Sequence, residues 1–295
     1  MSSRPWRTVT EEDLGHALGV PSMINREEAQ FYFWLAHRMA HVSGSMVDLG
    51  CFVGGSTAYL AAGASARRER QRPRMFAYDQ FHASPKVKHR QLYAKGISQF
   101  DGQDTLPLSK ALLSPWSDQV VLRKGRIEDS TWSDGVISLL ILDASKTSRT
   151  MDMMAQTFFP HLVPGISVIV QQDELHWKEP WIAAQMQRLR ACFEPLCYVP
   201  GGTVAYLCTK HVAPDLLRAR RVHGLSDDRI TRALANSAER LSAFGVKNKL
   251  QRQINALRLN PASENHGVSG TGCRRLRKHH SASRLSDAHG PAPLS

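Results

Sequence analysis

The chain has 295 residues, 42% of them hydrophobic, with a formal net charge of +12, which is compatible with a globular core in one generous domain plus appendages or in two small domains. No stretch approaches the ~20 apolar residues of a transmembrane helix, and the start, MSSRPWRTVTEED, lacks the apolar region of a secretory signal, so the cytoplasm is the expected location. Cys51, Cys192, Cys197, Cys208 and Cys273 are odd in number and form no C-x-x-C pair, which argues for reduced thiols and against a disulfide framework or zinc site.

The first local signal is Thr10 followed by Glu11, Glu12 and Asp13, a capping residue with acids in the first helical turn, where the macrodipole favours them. A second helix is expected over residues 25–41, with Phe31, Trp34, Leu35 and Met39 near one face that packs on a sheet. Residues 47–63, VDLGCFVGGSTAYLAAG, then read as strand, tight turn and helix, passing from the strand acid Asp48 through Gly50, Gly54 and Gly55 into Ser56 and Thr57. Glycine at such a turn tolerates positive φ and lets a ligand approach the backbone. Ser56 or Thr57 can cap the helix, whose free N–H groups favour a ligand carboxylate. The spacing D-x-G-x-x-x-G-G departs from the dinucleotide fingerprint G-x-G-x-x-G. The next strand-end acid, Asp79, comes 29 residues after Gly50 where that fingerprint wants about 20, so NAD is a poor fit.

Strand and helix signals alternate from there. Strands are expected over 74–79, 119–125, 136–143 and 165–171, and VISLLILD (136–143) is a continuous apolar run of the kind found in a central parallel strand covered on both faces. Helices are expected over 148–159 and 180–193, the latter with Pro180 in its first turn. CYVP, Gly201, Gly202 and TVAYLCTK close the sequence of strands as a hairpin. The whole implies a mostly parallel sheet with helices on both sides. Residues 80–118 are longer than a crossover needs and read as a cap or substrate-contacting excursion with a helix near 86–100. From residue 213 onward there are 15 Lys/Arg against 6 Asp/Glu, so +9 of the +12 belongs to a basic helical extension (213–260, with breaks near Gly224 and Gly245) and a tail (261–295). The tail's composition cannot bury enough surface to order it, and its RRLRKHH cluster reads as a solvated run that argues little for nucleic-acid binding.

The turn after Asp48 resembles the first motif of class I S-adenosylmethionine (SAM) methyltransferases, in the D-x-G-x-x-x-G form of small-molecule O-methyltransferases. AYDQF around Asp79 looks like the D-S/T-F pattern of TylF/macrocin-type sugar O-methyltransferases, and KGRIEDS (124–130) is similar to their K-G-x-F-E-D-T segment. The resemblance extends loosely over residues 24–210. It implies a Rossmann-like α/β fold, a seven-stranded mostly parallel sheet with an antiparallel edge hairpin, in a methyltransferase domain at 45–212 preceded by packing helices at 1–44. It also implies SAM as cofactor, with Asp48, Gly50, Gly54, Ser56 and Asp79 around it and Ile127 and Glu128 bordering the adenine. Asp79 suits this place in its own right, because a strand-end carboxylate can accept from both hydroxyls of a ribose.

In this family and in catechol-type enzymes, acids ending the fourth and fifth strands bind a divalent metal that lowers the pKa of the substrate hydroxyl. Asp143 takes the fourth-strand position and Lys146 reproduces the catechol-type D-x-x-K spacing, but Ser145 stands at the second TylF-type acid and Gln171 and Gln172 at the fifth-strand acids. Glutamine compensates no charge, which argues against a required metal. A metal-free route needs a base, for which His176, with its ordinary pKa near ~6.5 and Asp173 to orient it, is the candidate beside Asp173 itself. Trp177 and Trp181 are candidates for a sugar-stacking surface. The function that follows is O-methyl transfer from SAM to a hydroxyl of a small molecule, a sugar or glycosylated product, with Asp143 and Lys146 positioning the acceptor and His176 or Asp173 taking its proton; a silent SAM-binding scaffold is the alternative. The small-molecule acceptor is the partner, no membrane is involved, and a homo-oligomer is left open.

Overall fold

The computed structural model describes residues 4–40, 44–67 and 72–261. Two N-terminal helices, α1 (Glu11–Leu14) and α2 (Arg26–Arg38), both begin in capping boxes, Thr10 with Asp13 and Asn25 with Glu28. There follow β1 (Ser45–Leu49), α3 (Gly55–Ser65), β2 (Met75–Asp79), α4 (Pro85–Gln91), α5 (Leu106–Leu112), β3 (Val120–Lys124), β4 (Ile137–Leu142) and α6 (Ser148–Phe158). The chain continues through β5 (Val168–Gln171), α7 (Pro180–Arg188), β6 (Phe193–Val199), β7 (Thr203–Cys208), α8 (Pro214–Ala219), α9 (Asp227–Arg240) and α10 (Lys247–Leu259).

The strands form one sheet in the order β3-β2-β1-β4-β5-β7-β6, parallel except for β7, which runs antiparallel to both neighbours. This is the seven-stranded, mostly parallel sheet with an antiparallel edge hairpin that the resemblance implies. Two apolar layers cover the sheet, and β4 shows why its sequence is uninterrupted. Leu139 and Ile141 face the layer containing α2 and α3, whereas Leu140 and Leu142 face the layer containing α6, α7, α9 and α10. Each of these side chains is at most 1% exposed, and burying one contributes about 1.5–3 kcal/mol.

Two expectations shift. The helix near 86–100 ends at Gln91, and a second one, α5, follows only at Leu106. The helix from Pro180 stops at Arg188, because Phe193 already opens β6 and pairs with Cys208. The basic tail after Pro261, with Cys273 and the RRLRKHH cluster, lies outside the described residues. Among the described residues Cys51, Cys192, Cys197 and Cys208 are free thiols, and no helix is long and apolar enough to cross a membrane.

The C-terminal helices are built into the core. On α9, Ser237 donates to the Ala183 carbonyl at 3.2 Å, and Arg240 donates to the carbonyls of Met186, at 2.9 Å, and Phe193. On α10 the wholly buried Gln253 donates to the carbonyls of Glu174, at 2.7 Å, and His176, at 3.0 Å. Beneath this clamp Glu174 is fully buried and accepts from the Tyr206 hydroxyl. Burial pushes its carboxyl up from 4.5 to about 8, against the Tyr206 hydrogen bond and the Arg240 charge.

Between those two values the folded chain holds a proton that the unfolded chain has lost, so this group's contribution to stability is present below pH 4.5 and is lost as pH rises through about 8. Glu174→Gln should therefore match wild type near pH 4.5 and exceed it increasingly up to pH 8, by on the order of a few °C in Tm, in thermal melts recorded across that range.

Candidate active site

The C-terminal ends of β1, β2 and β4 open into one cavity of about 480 Å³. It is lined by Gly50, Phe52, Asp79, Gln80, Ile127, Glu128, Asp143, Ala144, Lys146, Thr147 and Thr150, together with Met23, His82 and Val87. The floor is fixed by close backbone approach. Gly50 has φ +96°, and a Cβ there would lie 2.8 Å from the Asp143 carbonyl oxygen. Its N–H reaches the Tyr78 carbonyl at 2.8 Å.

Asp79 is held by two strained neighbours. Phe52 and Phe81, with φ +55° and +49°, are the non-glycine residues of positive φ among those described. Their N–H groups donate to Asp79 at 2.9 and 2.7 Å, one to each carboxylate oxygen, which leaves each oxygen a further lone pair for a ligand hydroxyl. Burial raises the Asp79 pKa, and these backbone donors oppose the rise. Across the cavity Ile127 is buried, and Glu128 accepts from Thr150 Oγ1 at 2.8 Å. SAM fits this set of groups: a carboxylate with spare acceptor positions for a ribose, an apolar wall at Ile127, and an open backbone at Gly50.

The turn itself is organised differently from the expectation. Gly54, at φ +99°, is the N-cap of α3, and no side chain caps that helix. Ser56 and Thr57 instead donate to the same oxygen of Asp48, at 2.7 and 2.6 Å. Asp48 is wholly buried, with its other oxygen unpartnered and its pKa pushed up by burial to about 6. Asp48 and Gly54 therefore stand behind the cavity wall, and Gly54 packs where a Cβ would meet the Leu113 side chain at 2.6 Å. Ser56 reaches only a narrow extension of the site beneath Pro21–Ser22–Met23–Ile24. That N-terminal cover was not legible as such, since nothing in its sequence marks contact with a turn 30 residues away.

Lys146 gathers the acids. Its Nζ donates to Asp173 at 2.7 Å and Asp143 at 3.3 Å, with Glu179 at 3.8 Å. Burial opposes its charge, but the three carboxylates outweigh this and hold its pKa above the usual lysine range. Burial pushes Asp143 up to about 7, with Lys146 opposing and Asp173 adding to the rise. Glu179 is likewise raised, first by burial, with Lys146 opposing and Asp173 adding to the rise. Sequence reasoning missed Glu179; an acid six residues after Asp173 in an irregular loop carries no motif.

The proposed pairing of His176 with Asp173 is not formed. The Asp173 carboxylate goes to Lys146, and the two residues meet only where the His176 N–H donates to the Asp173 carbonyl at 2.9 Å. His176 does not line the cavity, and its Nδ1 is buried without a partner. Trp181 is buried and donates to the Ser145 carbonyl at 2.7 Å, so it braces the loop after β4 and offers no stacking face. Gln172 is committed elsewhere: it accepts from the Tyr32 hydroxyl and donates to Glu28 at 2.9 Å, and Thr203 joins Glu28 at 2.7 Å. Gln171 points its amide nitrogen at Met186 Sδ, 3.3 Å away.

No family model matches the chain, and no curated protein matches it in sequence. Among solved structures it is similar to the O-methyltransferase NovP, with 13% identity, 64% of this chain and 82% of that one covered, and a TM-score of 0.48. It is similar also to CalS11, a TDP-rhamnose 3'-O-methyltransferase of calicheamicin biosynthesis, with 17% identity, coverage of 62% and 80%, and a TM-score of 0.45. At these scores the likeness adds nothing to the reading of the site, which rests on its own geometry.

Because two hydroxyls share one buried oxygen of Asp48, Thr57→Val leaves it a single donor. The substitution should cost about 1–3 kcal/mol in denaturant unfolding, with the slope of the transition unchanged.

Proposed function

We propose that the chain is a SAM-dependent O-methyltransferase acting on a hydroxyl of a small molecule, with a sugar or glycosylated product as the acceptor. The reading is carried by the single cavity in which Asp79, Ile127 and Gly50 face Asp143 and Lys146. The sugar acceptor follows from the resemblance of AYDQF and KGRIEDS to the TylF/macrocin-type enzymes.

SAM, when bound, supplies a methyl group already activated by its sulfonium for attack by an oxygen nucleophile. The chain's part is to hold that oxygen in place and remove its proton. Asp79 holds the cofactor ribose, and Ile127 and Glu128 border the adenine. Asp143, on the cavity wall and raised toward neutrality, takes the acceptor proton. Lys146 orients the Asp143 carboxylate and presents positive charge to the oxygen as it loses that proton. This gives the base role to Asp143, because the cavity excludes His176 and Lys146 occupies Asp173.

Calorimetric titration of SAM into the folded protein tests the cofactor site. Wild type should bind, and Asp79→Ala should bind about 10²-fold more weakly, having lost two charge-assisted hydrogen bonds. A well-folded wild type that binds no SAM would refute the proposal. With an acceptor in hand, Asp143→Asn should lower kcat by about 10²–10⁴-fold. Since a base works as its carboxylate and Asp143 is raised to about 7, wild-type kcat/KM should climb through a limb near that pH, and the residual activity of the variant should lack the limb.

A further inference from the structure

The group at the centre of the acid cluster is itself a cation. We propose that the Lys146 ammonium stands in the place of a divalent metal, so that the site compensates its carboxylates internally and binds no catalytic metal ion. The consequence for catalysis rests on the methyl-transfer reading; the exclusion of metal rests on the cluster alone.

Asp143 ends β4, and Asp173 and Glu179 lie on the loop between β5 and α7, so a cation between them would bridge the two strand ends. Lys146 already does so, at 3.3, 2.7 and 3.8 Å from the three carboxylates. Its two hydrogen bonds use two of three N–H donors, and the third has no nearer acid than Glu179. That donor is available to an acceptor oxygen at the cavity, which Lys146 lines.

A divalent ion would find a poor shell here. Mg²⁺ demands about six oxygens in near-ideal octahedral geometry. The two residues that should extend the shell from β5 are neutral glutamines: the Gln172 amide is spent on Tyr32 and Glu28, and Gln171, which turns its amide nitrogen to Met186 on α7 and leaves its buried oxygen without a partner, does not line the cavity. Among the described residues no group of three or more His, Cys, Asp or Glu side chains is arranged to hold a metal. Entry of a metal would require expelling Lys146 from its 2.7 Å contact with Asp173.

The opposite case follows from the same geometry. Removing the ammonium leaves three carboxylates with their charge uncompensated, and a hard cation becomes the available remedy. The test is titration of Mn²⁺ into the full chain, read by the electron paramagnetic resonance of the free ion, for wild type, Lys146→Met and Lys146→Met/Asp143→Asn. Wild type should show no stoichiometric site up to about 1 mM, the weak end of carboxylate sites. Lys146→Met should gain one site, at least about tenfold tighter than any residual binding to wild type, and the double variant should lose it. Stoichiometric Mn²⁺ on wild type that vanishes in Asp143→Asn would overturn the proposal, as would a folded Lys146→Met that gains nothing. Should Lys146→Met fail to fold, as circular dichroism would show, Lys146→Gln takes its place, and the wild-type titration decides on its own whether a metal is bound. SAM titration of the same wild-type sample separates the two claims: loss of SAM binding refutes the methyltransferase reading and leaves the Mn²⁺ result to stand.

Discussion

Between β1 and β4 the sheet changes direction: the chain leaving β1 proceeds to β2 and β3 on one side, and the chain leaving β4 proceeds to β5 on the other. Connections that part in this way leave a crevice at the strand ends, which is where ligands bind in open α/β sheets. Here the crevice is narrow at its base, because a Cβ on Gly50 would stand 2.8 Å from the Asp143 carbonyl oxygen. That contact ties the β1–α3 turn to the end of β4. The turn that sets Gly50 and Phe52 is fixed against the strand end that carries Asp143, so neither side can shift without the other.

Charge is the second constraint. Asp48, Asp79 and Asp143 all end or approach strand ends within the same sheet edge, and burial raises each of them. The chain answers each in a different way. Asp48 receives two hydroxyls, Asp79 receives backbone N–H groups from residues held at positive φ, and Asp143 receives an ammonium. Only the last two leave their carboxylates facing the cavity. Two hydroxyls hold one oxygen of Asp48 behind the wall and make it a support for the turn. The difference in compensation thus divides three similar acids into one behind the cavity wall and two that line the cavity.

What could be read from the sequence was what lies next to a strand end. The glycine turn, Asp79, the Ile127–Glu128 pair and the Asp143–Lys146 spacing each depend on a few neighbouring residues, and they meet because parallel strands deliver their C-terminal ends to one edge. The partner of each side chain was less legible. Ser56 and Thr57 have the chemistry of caps, but Asp48 lies one strand-turn away with an unsatisfied oxygen and takes both hydroxyls. His176 and Asp173 have the spacing of a base and its orienting acid, yet Lys146, 27 positions earlier, reaches Asp173 first. Short polar side chains choose among partners that only the folded chain brings near, and periodicity carries no record of that choice.

The same reasoning applies at the longest range to the loop that carries Asp173 and Glu179. The stretch between Gln171 and Pro180 has no strand or α-helix to satisfy its carbonyls, and a buried carbonyl without a donor is costly. Gln253 supplies donors to two of them from α10, 77 to 79 positions away in sequence. Arg240 and Ser237 fasten α9 to α7, at the far end of that loop. A basic segment that composition presents as an appendage thus fixes the geometry of two acids on Lys146. Lys247, Lys249, Arg252 and Arg258 of α10 stand off the core and carry its positive charge, while the buried faces of α9 and α10, Ile230, Leu234, Leu250, Gln253 and Ile254, do the positioning.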